Sequence, residues 1–269
     1  MSALIHPSAF VSDAAEIGER VAVGPCAVVE DDVRIGDDCQ IRAFASVGRH
    51  TRMGGGNIVH SYAFVGGIPQ DLKFRGELSY LEIGENNNFR EFCTVHRGTE
   101  GGGGVTRIGS NNLIMAYCHV AHDCMLGDNI VMSNGATLAG HVRIADNAVL
   151  GGLSAVHQFS RLGRHSFVGG MTGIAQDLPP YMTAVGVRGG IQGPNLVGLR
   201  RMRLPPSVIA AVRSSFRLIW LSGMPRREAL EQATAEFAEV PEVMEIITFI
   251  QESERGVLHA VRAAEARDA

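Results

Sequence analysis

The stretch RIGSNNLIMAYCHVAHDCMLGDNIVMSNGATLAGHVRIADNAVLGG, residues 107–152, places an apolar side chain at every sixth position: Ile108, Ile114, Val120, Leu126, Met132, Leu138, Ile144 and Leu150. A period of six is neither the 3.6 of an amphipathic helix nor a plain alternation. It calls for short strands separated by turns, each strand returning one residue to a common interior. The period extends outward in both directions. Forward it runs through Val156, Leu162, Val168 and Ile174; backward, after a break, through Val95, Phe89 and Ile83. After a second break it continues through Val65, Val59, Met53, Val47, Ile41, Ile35, Val29, Val23, Ile17, Val11 and Ile5. These 26 slots, each contributing about 1.5–3 kcal/mol when buried, dictate an all-β parallel β-helix over residues 1–178.

The residues around each slot agree. Glycine often follows it, as at Gly18, Gly36, Gly84, Gly109, Gly127 and Gly151, and is read as a turn position with φ > 0. Two residues before the slot, on the same inward face, the side chain is small, as at Ala27, Ala45, Ala136, Ala148, Ser154 and Ser166. Cys39, Cys93, Cys118 and Cys124 occupy this same position. Four of the five cysteines are therefore expected as core residues, not as nucleophiles, metal ligands or disulfide partners.

Composition is that of an ordinary water-soluble chain, 45% hydrophobic and 19% charged. No basic stretch followed by an apolar run opens the sequence, and no apolar run is long enough for a bilayer. A cytoplasmic protein without a membrane span is expected, and no nucleic-acid partner. The net charge of −4 excludes nothing by itself, but residues 178–227 hold eight arginines and no acid. Such a segment attracts an acidic partner.

The repeat breaks near 66–82 and 97–107. Both breaks are expected as loop insertions, where binding residues concentrate on a rigid scaffold. The first carries Gln70, Asp71, Arg75 and Lys73, the chain's one lysine; the second, with Gly101 to Gly104, reads as merely flexible. Pro179 and Pro180 end the repeats. A glycine-rich linker is expected over 179–193 and a C-terminal α-helical domain over 194–269, with apolar stripes Ile209/Val212/Phe216/Ile219, Leu230/Ala233/Phe237 and Val243/Ile247/Ile250. After Gly256 the tail reads as loosely ordered.

With 18 residues per coil, residues about 18 apart stack on successive coils, roughly 4.8 Å apart. His122 and His141 are 19 apart, His141 and His157 are 16 apart, and His119 shares a coil with His122. Four histidines therefore line one edge. Exposed turn residues, a zinc site of the carbonic-anhydrase type and general-base catalysis all fit that edge, and Asp123 stands ready to orient a base.

Six segments narrow the choice: IPQDLKFRGE at 68–77, TVHRGT at 94–99, HVAHDC at 119–124, NGATLAGHV at 134–142, AVHQF at 155–159 and GPNLVGLRR at 193–201. In this order they resemble the acyl-carrier-protein-dependent UDP-N-acetylglucosamine O-acyltransferases, hexapeptide-repeat enzymes that perform the first step of lipid A biosynthesis. The resemblance implies left-handed winding, a homotrimer with sites between neighbouring prisms, and transfer of a (R)-3-hydroxyacyl chain from acyl carrier protein to the sugar 3-hydroxyl. It implies no metal and no cofactor beyond the phosphopantetheine thioester of the carrier.

Carried over by position, His122 matches the general base, Asp123 its partner, and Gly140 the backbone N–H donor to the oxyanion. Gln70, Asp71, Lys73, His119, His141, His157, Gln158, Asn195 and Arg201 match residues that hold the nucleotide sugar. Gly170, with Met171 beside it, matches the position that sets acyl-chain length; a glycine there implies a longer chain. The acid-free arginine segment would meet the acidic carrier protein. Val197 and Met202 depart from the family, which often has glutamate and a second basic residue there. N-acylation of a 3-amino UDP-sugar is therefore an alternative acceptor chemistry.

Overall fold

The computed structural model describes residues 3–261. All 26 slots fall in strands of two to four residues, stacked in sheets of eleven, nine and eight strands. Every third strand is a neighbour, so Leu4 pairs with Ala22 and Ala22 with Gln40, all in parallel. The first face runs from Leu4–Ile5 to Gly190–Pro194, the second from Phe10–Val11 to Gly173–Ile174, and the third from Glu16–Ile17 to Arg161–Leu162. One circuit of the three faces is a coil, numbered here by the successive strands of the second face.

Paired residues on adjacent coils are 18 apart, as Val28 and Ser46. Across the first break the offset is 30 (Phe64 and Thr94) and across the second 25 (Thr94 and His119). The breaks thus insert 12 and 7 residues (30 − 18 and 25 − 18) while the coils stay paired, with one bulge between Val65 and Gly67. Strands Phe64–Gly67, Tyr80–Ile83 and Val105–Ile108 trim the loops to 68–79 and 97–104.

Every slot from Val23 to Ile174 is buried. Ile5, Val11 and Ile17 are more exposed, because no coil among the described residues lies beyond the first. Cys39, Cys93, Cys118 and Cys124 are buried, and burial pushes the Cys118 thiol up to about 11 and that of Cys124 to about 12. Neither is a thiolate at neutral pH.

The turn glycines have a different cause from the one expected. Apart from Gly66, those following a slot do not have left-handed φ. That conformation falls two residues later, on Asp38, Asn86, Asn111, Asn129 and Asn147 among others, residue types that tolerate it. Glycine is needed earlier in the turn because the next coil passes too close: a Cβ on Gly36 would lie 2.7 Å from the backbone of Gly54.

Three inward positions beside the first face are polar rather than small. Asn57, Asn87 and Asn112 form a buried ladder in which Asn57 Oδ1 accepts from Asn87 N (2.8 Å) and Asn87 Oδ1 accepts from Asn112 N (2.9 Å). Asn112 Oδ1 accepts from Ile130 N (2.7 Å), where an apolar side chain ends the series. Their amides donate to turn carbonyls, Asn57 to Gly84 (2.8 Å), Asn87 to Gly109 (2.9 Å) and Asn112 to Gly127 (3.0 Å). A buried amide is tolerated only with its partners in place, and here each rung supplies them for the next.

The linker expected over 179–193 is instead largely sheet. Met182–Val185 pairs in parallel with Phe167–Val168 and then antiparallel with Gly190–Pro194, extending the first face. Buried Met182, Ala184 and Ile191 drive this. Four helices follow: α1 (Leu196–Arg201), α2 (Pro206–Phe216) running into a π-helical turn at 217–221, α3 (Arg226–Phe237) and α4 (Pro241–Gln251). Val212, Phe216, Ile219, Ala233, Val243, Ile247 and Ile250 are buried between them. Glu245 of α4 ties the helices to the coil end, accepting from Arg164 Nε (2.7 Å) and the Tyr181 hydroxyl (2.6 Å).

Residues 257–261 do not trail away. Leu258 N donates to Asp177 O (3.0 Å) and Val261 N to Ile191 O (2.9 Å), closing the cap onto the hairpin. The rest of the expected loose tail, 262–269, lies outside the described residues.

Candidate active site

One corner of the prism, between the second and third faces, collects most of the expected site. His122 lies between strands His119–Val120 and Met125–Leu126, His141 between Thr137–Leu138 and Arg143–Ile144, and His157 between Ala155–Val156 and Arg161–Leu162. Both insertions leave and rejoin at this same corner, two coils and one coil before His122. The histidines and both loops therefore converge by topology.

Asp123 is fully buried, with the left-handed φ that this turn position requires. Its Oδ2 lies 2.7 Å from His122 Nδ1, so the buried carboxylate accepts a hydrogen bond from Nδ1–H and leaves Nε2 as the basic nitrogen. His141 Nε2 is 3.7 Å from the same oxygen. Gly140 makes room for the imidazole, since a Cβ there would lie 2.6 Å from His122 Cε1. Among the described residues the Gly140 N–H donates to no protein group, which leaves a backbone donor free beside the base.

The second loop is not merely flexible. Thr99 N and Thr99 Oγ1 donate to the two oxygens of Asp123 at 2.8 and 2.7 Å, and Asp123 N donates to Thr106 Oγ1 at 2.8 Å. A Cβ on Gly102 would lie 2.0 Å from the Asp123 carboxyl carbon, so the 3-10 turn Glu100–Gly102 packs directly on that carboxylate. Within the glycine run, Gly102 is the clearance for this contact, while Gly101, Gly103 and Gly104 face open space. In the first loop, Phe74 lies 5.8 Å over buried Arg97, Gln70 faces the groove, and the charges of Asp71 and Lys73 both act on His141.

A row of neutral imidazoles extends from the dyad. His119 Nδ1 lies 2.7 Å from Thr94 Oγ1, and its ring packs edge-on against buried His96 at 4.8 Å. His141 stacks on Phe159 at 4.4 Å. Burial pushes His119 and His141 below the ordinary histidine value, and His96 down to about 4.

These shifts fix a stability trend. The unfolded chain binds protons at these positions as pH falls below about 6.5, whereas folded His96 resists down to about 4. The unfolded state is therefore favoured progressively across that window, by about 3 kcal/mol for His96 alone. The urea midpoint at pH 4.5 is expected to fall well below that at pH 7.5, and His96→Gln should shrink the difference. An unchanged gap in that variant would contradict the assignment.

From His122 an open groove of about 830 Å³ runs along the second face toward the helical end. Its floor is the outward row His119, Thr137, Ala155 and Gly173, successive partners in the sheet, whose side chains dwindle along the row. The hairpin crosses its far end, Gly189 N donating to Gly173 O (2.8 Å). His157 and Gln158 line the rim, with His157 Nδ1 2.9 Å from Arg255 Nη2. The floor is polar at the dyad end and small toward the hairpin, where Gln176 and Arg188 also line the groove.

Three groups of expected residues lie elsewhere in the single chain. Gly170 and exposed Met171 occupy the corner between first and second faces. Asn195 caps α1, accepting from Gly198 N (2.9 Å) while its amide holds His165 O (2.9 Å) at the third corner. Arg201 and Val197 are exposed on α1 itself. None of them reaches the His122 corner within one prism. Sequence reasoning missed Thr99, Thr106, Thr94 and His96, although Thr94, His96 and Thr99 lie within the segment TVHRGT.

Comparison with known proteins gives the same picture. Residues 177–258 match the profile of UDP-N-acetylglucosamine O-acyltransferase domain 2, and 106–140 match the bacterial transferase hexapeptide repeat. An acyl-[acyl-carrier-protein]–UDP-N-acetylglucosamine O-acyltransferase of Anaeromyxobacter sp. (strain K) is 51% identical over 94% of this chain and 98% of its own. One from Burkholderia orbicola is 47% identical over the same shares. The crystal structure of the UDP-N-acetylglucosamine O-acyltransferase of Moraxella catarrhalis superposes with a TM-score of 0.92 at 38% identity, covering 95% of this chain and 99% of that one. With half its residues shared across nearly the whole of both chains, this protein belongs to the acyl-[acyl-carrier-protein]–UDP-N-acetylglucosamine O-acyltransferase family.

Proposed function

We propose that the protein transfers a (R)-3-hydroxyacyl chain from acyl carrier protein to the 3-hydroxyl of UDP-N-acetylglucosamine, the first step of lipid A biosynthesis. The observation that carries this reading is the buried His122–Asp123 pair opening onto an apolar groove. His122 Nε2 takes the proton of the sugar 3-hydroxyl as that oxygen attacks the thioester carbonyl. The Gly140 N–H meets the oxyanion, and collapse of the tetrahedral intermediate expels the phosphopantetheine thiolate, which the imidazolium reprotonates. No cofactor enters these steps. His122, Asp123 and His141 are close enough to share a cation, but both Asp123 oxygens already accept hydrogen bonds, which favours the dyad over a zinc hydratase.

The winding is taken as left-handed and the assembly as a homotrimer, as the family implies. The dispersal of Asn195, Arg201 and Gly170 away from the His122 corner supports a shared site, since a neighbouring prism would bring its own copies to that corner. An exposed apolar ridge supports the same assembly: Phe44, Tyr62, Phe92 and Tyr117 stack at 5.1–5.2 Å along the corner that continues to Leu153 and Met171. Arginines of residues 178–227 would receive the acidic carrier protein. No helix among the described residues is long and apolar enough to cross a membrane, consistent with a cytoplasmic site of action.

Purified protein given a mixture of 3-hydroxyacyl carrier proteins, UDP-N-acetylglucosamine and its 3-amino analogue is expected to yield the 3-O-acyl product by mass spectrometry. Acylation of the amino analogue alone would replace the acceptor. No acylated sugar at all would end the proposal.

A further inference from the structure

We propose that Thr99 is a positioning residue for the transfer reaction, holding Asp123 so that His122 presents Nε2 to the groove; this rests on the acyl-transfer reading above. Asp123 carries the only carboxylate at the dyad, and its two oxygens have three donors within 2.8 Å: Thr99 N, Thr99 Oγ1 and His122 Nδ1. Two of the three come from one residue, on a loop inserted one coil earlier. The Thr99 pair fixes the carboxylate in one plane. His122 Nδ1 can then meet Oδ2 in only one ring orientation.

The loop is built for this contact. Gly102 passes so close to the carboxylate that no side chain fits, and Thr106, on the strand that ends the loop, accepts from the backbone N–H of Asp123 itself. Side chain and backbone of Asp123 are thus both held by residues 99–106, while the carboxylate is fully buried. Thr99 is itself buried and lines no part of the groove. It acts on substrate only through Asp123 and His122.

The electrostatic consequence has a sign. Each hydrogen bond from Thr99 draws on the carboxylate's charge and leaves less for the imidazolium formed during proton transfer. The charged and titratable groups around the pair are His141 on the next coil, His119 on the same coil, His96 on the coil before, and Asp71 and Lys73 of the first loop, which act on His141. None of them changes when Thr99 does. Removing the hydroxyl leaves a stronger acceptor for His122 and a less constrained carboxylate.

Thr99→Val keeps the backbone donor and the side-chain volume and removes the hydroxyl. Its kcat is expected to fall on the order of 10-fold to 100-fold from misorientation, with KM and melting temperature close to wild type. The acid limb of the kcat/KM profile should move to higher pH by a few tenths of a unit. Thr99→Ser, which restores the hydroxyl, should recover most of the rate and the wild-type profile. An NMR readout stands apart from activity: the Nδ1 proton of His122, protected from solvent exchange in wild type, should broaden in the valine variant and persist in the serine one. Wild-type rate and profile in Thr99→Val, or equal impairment of Val and Ser variants, would overturn the assignment. A wild type that holds this proton yet transfers no acyl chain would instead defeat the acyl-transfer reading.

Discussion

Replacement of His122 by alanine is expected to lower kcat by about 1,000-fold, within the range that a positioned general base contributes, while leaving KM and thermal stability nearly unchanged. The imidazole is largely buried, but among the described residues its one side-chain hydrogen bond goes to Asp123. That carboxylate keeps both Thr99 donors when the ring is gone, so the fold loses little. The rate loss belongs to proton transfer, because a sugar hydroxyl is a poor nucleophile until its proton has somewhere to go. Steady-state rates at saturating donor and acceptor measure it. A variant within tenfold of wild type would move the base elsewhere, and His141 is the next imidazole along the corner, 5.2 Å away between ring centres.

The second large effect concerns the interior. Asn87→Leu is expected to reduce unfolding free energy by about 4 kcal/mol, since each buried group left without its partner costs about 1–3 kcal/mol. The substitution strands the backbone N–H of Asn112 and the carbonyl of Gly109, and removes one of the two donors to Asn57 Oδ1, the backbone N–H of residue 87 remaining. Leucine has the volume but none of the hydrogen bonds. Urea denaturation with matched cooperativity measures the change; a loss below about 1 kcal/mol would mean that relaxation or water can replace the rung. Two rungs further on, Ile130 shows an apolar side chain at this inward position, where no later rung depends on it for a partner.

Much of the fold was legible because a slot period leaves a signal at every turn. Residues Ile5 to Ile174 announce their strands by position alone, and each stands where the period puts it. The asparagine ladder was hidden, because polar side chains at inward positions break the small-residue rule and are rescued by neighbours 15 to 30 residues away. The hairpin at 182–194 was hidden for another reason: glycines that punctuate a linker also permit close strand packing. At the site, the histidine edge followed from the coil length. The hold of Thr99 on Asp123 spans 24 residues across an insertion, where the period says nothing. Asn195 shows the reverse case. Its match to a sugar-binding position says nothing of its local work as a helix cap.

The two ends of the solenoid are not alike. One is lidded by the hairpin, four helices and the returning segment at 257–261, whereas among the described residues no coil covers the other, and the inward-facing Ile5 is 44% exposed. In a stack where each layer is steadied mainly by its neighbours, spontaneous opening starts from the layer with a single neighbour. Amide exchange would therefore spread inward from residue 4, one layer at a time, and slow with each layer passed. The His122 layer is the sixth along that path. Thermal fraying that loosens the first layers leaves the reacting corner closed, so this protein can breathe at its foot while it works at its waist.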